Sequence, residues 1–120
     1  MDDLAELDLQ RERAAKNESL FREVNERIEG LAHSATFIEF VCECADRSCS
    51  ESVSLTREEY EEIRAGSNTF FMLAGHDLPG VEEIVEATGR YIVVAKLGAG
   101  ERVAARLDPR HGSAASRPRE

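Results

Sequence analysis

Tryptophan is absent, and the 120 residues include only five phenylalanines and two tyrosines. A chain this short and this poor in aromatics supports one modest core, and it buries a smaller share of its surface than a large domain does. No apolar run approaches the ~20 residues that span a bilayer. The opening Met1-Asp2-Asp3-Leu4 lacks the basic-then-apolar order of a signal peptide. Both absences favour a soluble, cytoplasmic protein with no membrane association. Cysteine is scarce, with three in the whole chain. In a reducing compartment, clustered thiols point to metal or redox chemistry rather than to disulfides.

Bases are in deficit, and the formal net charge is −9. Residues 39–88 carry 12 acids and 3 bases, whereas residues 89–120 carry 3 acids and 7 bases. An acidic body repels phosphate backbones, because nucleic-acid affinity rests on Lys and Arg displacing counterions. The Arg-bearing tail has no interleaved aromatics on which bases could stack. Direct nucleic-acid binding is therefore disfavoured. Neither Gly75-His76 nor Gly98-Ala99-Gly100 continues into the Lys and Ser or Thr of a phosphate loop. The H-x-E and P-C-x-x-C pair of zinc deaminases is missing, as is a nucleophile elbow. No catalytic set is assigned.

Residues 4–32 read as one long amphipathic helix. Leu7, Ala14, Phe21 and Ile28 recur every seven residues, with Val24 and Leu31 beside them. Glu12–Lys16, Glu18–Arg22 and Glu23–Arg27 are oriented i,i+4 pairs. Asn17 interrupts the stripe, as a register-setting polar residue does in a coiled coil. Such a helix suits self-association or a protein partner.

Residues 36–42 and 51–55 read as strands of a hairpin whose loop carries the cysteines. Thr56-Arg57-Glu58-Glu59 has the form of a capping box, opening a helix that ends near Ala65 before Gly66. Its run Glu58, Glu59, Glu61, Glu62 reads as a solvated face or an acidic docking surface. Residues 69–73 suggest a strand. Pro79, with Val81, Ile84 and Val85 at helical spacing, suggests a helix over 79–88. Residues 90–96 are the clearest strand. Beyond Gly98 the pattern weakens, and the Arg, Pro, Ser and Gly content suggests a poorly ordered tail.

The expected order is α-β-β-α-β-α-β, an α+β domain with a small four-stranded mixed or antiparallel sheet. Its parts are a helix at 1–32, a zinc-organised core at 33–98 and a weakly ordered tail at 99–120.

Cys42, Cys44 and Cys49 form C-x-C-x4-C, and His76 follows 27 residues later. Zinc takes four soft or borderline ligands in a tetrahedron, and three cysteines with one histidine are an accepted structural set. On a strand, Cys42 and Cys44 share a face, and the short loop lets Cys49 turn back to them. Glu43, Asp46, Arg47 and Ser48 make the surroundings too polar for plain core packing. Three thiols fall short of the four that an iron–sulfur cluster normally takes. One zinc per chain, held by Cys42, Cys44, Cys49 and His76, is the expectation. His33, His111, Asp46 and water are alternatives for the fourth position. Glu43 would act as a base only beside an open zinc, and strand alternation points it away.

Asn17 through Ile28, Phe40-Val41-Cys42-Glu43-Cys44, Leu55-Thr56 with Glu59-Tyr60, and Gly75-His76 together resemble short, uncharacterised actinobacterial proteins. The likeness covers about residues 11–110. In those proteins a proline often precedes the Gly-His pair, whereas Ala74 stands here. The resemblance implies that the cysteines and His76 belong to one unit, and it implies no activity.

Three readings follow. The first is a zinc-stabilised protein-interaction or regulatory adaptor module. The second is a thiol-based redox or zinc sensor, in which oxidation ejects the metal. The third is a small metalloenzyme with an open zinc position.

Overall fold

The computed structural model describes residues 3–32 and 35–110. Among them the elements run α1 (Asp3–Leu31), β1 (Ile38–Val41), β2 (Ser52–Leu55), α2 (Arg57–Arg64), β3 (Thr69–Met72), β4 (Glu82–Ala87), β5 (Ile92–Lys96) and α3 (Ala99–Arg106). The class is α+β, led by a long N-terminal helix with two shorter helices after it. The strands form two antiparallel sheets. One is the β1–β2 hairpin, and the other has the order β3-β5-β4.

The core lies where the two sheets and α2 meet. Phe40 of β1 stacks on Tyr60 of α2 with ring centroids 4.4 Å apart. Phe71 of β3 meets both rings edge-on. The capping box forms as expected. Thr56 accepts from the Glu59 amide, and the Glu59 carboxylate accepts from the Thr56 amide.

Two expected elements differ. Residues 82–87, within the segment read as a helix over 79–88, are strand β4. Leu78-Pro79-Gly80-Val81 closes a turn through Val81 N–H to Leu78 O at 3.0 Å, with Gly80 at φ 88°. Proline at the second place and a positive-φ glycine at the third are the chemistry of a type II turn, not of a helix start. The β-branched Val81, Ile84 and Val85 then suit a strand, and Ile84 pairs with Val94 of β5. The segment after Gly98, expected to be weakly ordered, holds α3 over residues 99–106, with Ala99, Gly100, Val103 and Ala104 buried. Small residues at helical spacing let α3 sit close to α1. Residues 111–120 of the expected tail lie outside the described residues, as do His33 and His111.

The buried face of α1 follows the apolar stripe only in part. Ala14, Ala15, Glu18, Ser19, Arg22 and Asn25 are buried, whereas Val24 is 44% and Leu31 80% exposed. Leu7, Phe21 and Ile28 are half-buried at its margin. Polar partners override the hydrophobic period. Lys96 of β5 donates to Glu18 at 3.0 Å and to Glu82 at 2.6 Å. Glu18 thus pairs with Lys96 rather than with Arg22. Arg22 donates to the carbonyls of Ser67 at 2.7 Å and Ala104 at 2.8 Å. Arg64 of α2 pairs with Asp108 at 2.6 Å and with Glu26 at 3.0 Å. Asn17, on the expected seam, donates to the carbonyl of Ala45.

Candidate metal centre

Cys42 follows β1 directly, and Cys44 lies two residues beyond it. The strand alternation that the sequence implies puts both sulfurs on one side, and both residues are buried. The peptide between them is tied to β3, since the Glu43 amide donates to the Phe71 carbonyl at 3.0 Å. Residues 45–50 turn the chain back toward β2. The Asp46 carboxylate accepts from the Ser48 amide and hydroxyl at 3.0 and 2.7 Å. The Asp46 carbonyl accepts from the Cys49 amide at 3.0 Å. That tight loop returns the Cys49 sulfur to the other two.

His76 comes from the link between β3 and β4. Its amide donates to the Leu73 carbonyl at 3.1 Å, and Gly75 at φ 90° occupies the third place of that turn. Glycine adopts this left-handed conformation without a steric penalty, so the Gly-His order has a geometric reason. Ala74 holds the second place of the turn, where proline is favoured.

The ligand atoms of Cys42, Cys44, Cys49 and His76 all lie within 4.8 Å of one another. His76 Nδ1 is 3.4 Å from the Cys42 sulfur and 3.8 Å from the Cys49 sulfur. Zinc–sulfur and zinc–nitrogen bonds of about 2.3 and 2.0 Å in a tetrahedron place S and N about 3.5 Å apart. The two S–N separations bracket that value, and the four residues together can hold a metal ion. Nδ1 is the ring nitrogen that faces the sulfurs. The Leu73 amide donates to the Cys42 sulfur at 3.3 Å, a contact that offsets thiolate charge.

Burial pushes the Cys42 thiol up above its ordinary range, and the approach of Cys44 and Cys49 adds to it. The Cys44 thiol is raised for the same first reason. Three converging thiolates in a desolvated corner need a cation to be stable as anions.

The alternatives for the fourth ligand fall differently. The Asp46 carboxylate is committed to Ser48. Glu43 points away from the sulfurs, as strand alternation requires. Its side chain is buried, accepting from Asn25 Nδ2 at 2.9 Å and from the Phe71 amide at 3.4 Å. Burial raises its carboxyl to about 7.

Asn25 of α1, to which the sequence pattern assigns no role, supports the site from behind. Its side chain binds the backbone of Val41 in both directions, donating at 2.9 Å and accepting at 2.8 Å. It imitates a neighbouring strand and fixes the end of β1 just before Cys42. A buried polar residue on a long helix carries no local signal for such a contact.

Comparison with protein-family models, with curated proteins and with solved structures finds no match to this chain.

Proposed function

We propose that the protein is a small protein-interaction or regulatory adaptor module, stabilised by one structural zinc ion on Cys42, Cys44, Cys49 and His76. The observation that carries this reading is the convergence of those four ligand atoms within 4.8 Å. Three sulfurs and one imidazole nitrogen are a donor set that suits zinc. The ion would staple the β1–β2 hairpin to the link after β3, two segments that belong to different sheets. Four protein donors leave no vacant position for a substrate, which favours a structural site over the metalloenzyme reading. The interaction part of the proposal draws on Leu9, Leu20, Val24 and Leu31, apolar residues exposed along α1. The likeness to the short actinobacterial proteins, with the C-x-C-x4-C and Gly-His motif as one unit, belongs to the same proposal.

The redox-sensor reading keeps one supporting observation. Cys49 is less buried than Cys42 and Cys44, so an oxidant would reach its sulfur first. Mild peroxide on the zinc-loaded protein tests it, and retention of the metal removes it.

The deciding experiment is metal content and coordination by X-ray absorption, on wild type beside His76→Ala. One zinc per chain, in a shell of three sulfurs and one nitrogen that the substitution loosens, is the expected result. Protein free of metal after purification in reducing, zinc-replete buffer would end the proposal.

A further inference from the structure

Strand β4 is the outer strand of its sheet, and its residues from Glu83 to Ala87 are all exposed. Ile84 and Val85 are 50% and 53% exposed. Between β4 and α2 lies a cavity of about 270 Å³, lined by Glu62, Ile63, Thr69, Val85, Glu86 and Val93. Ile63 and Val93 are buried and form its apolar floor. Glu62 and Glu86, both exposed, stand at its rim. Among the described residues no cation pairs with Glu62, Glu83 or Glu86. Other acids nearby are matched within the fold, Glu59 by Arg90 and Glu61 by Arg110.

We propose that the β4 edge and this groove form a docking site for an extended, basic segment of a partner protein. The segment would add as a strand beside β4 and place a lysine or arginine side chain in the groove. The chemistry of the site selects that occupant. A free strand edge offers a row of main-chain donors and acceptors to another strand. Ile63, Val85 and Val93 suit the methylene stem of a long basic side chain, and Glu62 and Glu86 suit its charged head. A second copy of this chain is disfavoured, because its own β4 brings Glu83 and Glu86 against the same charges. The β-bulge between Ile84 and Glu86 leaves Val85 without a cross-strand partner on β5. The proposal names a surface for the interaction module proposed above and rests on that reading.

The test is an NMR titration of the zinc-loaded full chain with a short peptide alternating valine with arginine and lysine. A control peptide carries glutamate in place of the bases. Saturable shifts of the amides at 83–87, with Glu62 and Thr69, weakened by salt and absent with the acidic control, are the expected result. The Glu62→Gln/Glu86→Gln variant, at exposed positions that leave the fold intact, should bind at least tenfold more weakly. No shift at 83–87 up to millimolar peptide, equal binding by the variant, or shifts confined to α1 would overturn the proposal. Shifts of the same amides on raising protein concentration without peptide would also overturn it, in favour of a second copy. Zinc content of the same sample, measured in parallel, separates failure of this surface from failure of the metal reading.

Discussion

Two of the buried polar clusters among the described residues are balanced in opposite ways. At Cys42, Cys44, Cys49 and His76, three thiols and an imidazole converge with no cationic side chain among them, and the proposed zinc would balance the thiolates. Along α1 the chain supplies both signs itself. Lys96 stands between Glu18 and Glu82, and Arg64 between Asp108 and Glu26. On the proposed zinc reading, the first kind of site would make folding depend on metal supply. The second makes it depend on pH and on each partner staying in place. A buried charge that loses its partner is left desolvated, and that costs more than the pair ever contributed.

The largest effect should come from breaking the metal half. Zinc on such ligands supplies ~10–16 kcal/mol of apparent folding free energy, against a typical total stability of ~5–15 kcal/mol. Chelation of the zinc, or Cys44→Ser, should abolish the cooperative melt of the region from 36 to 76. A full, unchanged transition by calorimetry after chelation would show that the cluster does not organise the fold.

Lys96→Met breaks the other half. It leaves two buried carboxyls facing each other and should cost about 3–5 kcal/mol in denaturant unfolding. Zinc stoichiometry should stay at wild-type level wherever the variant is folded. Adding Glu18→Gln and Glu82→Gln to it should recover much of the loss. If the triple variant is no better than Lys96→Met, charge balance is not what holds α1 on β5.

A subtler probe leaves the packing alone. Burial raises the Glu18 carboxyl well above its ordinary range, and Lys96 opposes the shift without cancelling it. Between the unfolded and the raised folded value, the folded state keeps a proton that the unfolded chain has already released. That contribution to stability is complete below the unfolded value and is lost as pH rises through the folded one. Glu18→Gln mimics the protonated acid, so the stability difference between variant and wild type should grow in the variant's favour with rising pH. A difference that stays flat with pH would show that Glu18 is ionised in the fold.

The smallest effect belongs to the turn that presents His76. Ala74→Pro fits the second place of that turn and should stabilise the protein by about 0.4–1 kcal/mol, chiefly by restricting the unfolded chain. Loss of stability or of zinc affinity would mean that the turn needs the freedom of a non-proline residue there.

What the sequence determined by itself was chiefly local. Cys42 and Cys44 fall on one side because alternate residues of extended chain share a face. The α2 start was legible because Thr56 and Glu59 complete a box within four residues. The hairpin strands and β5 announced themselves by β-branched and aromatic composition. The clustering of thiols in eight residues marks the candidate metal centre. Tertiary structure decided the rest. Residues 79–88 carry a helical spacing, yet the Pro79-Gly80 turn and pairing with Ile92–Lys96 make β4 of residues 82–87. The turn signal stood in the sequence, and the partner strand β5 begins only five residues after Ala87, so hairpin pairing overrides the helical spacing of the apolar residues. The α1 stripe misled because Glu18, Arg22 and Asn25 find partners up to 82 residues away. A charged residue looks solvent-facing until its counter-charge is brought to it, and only the folded chain does that.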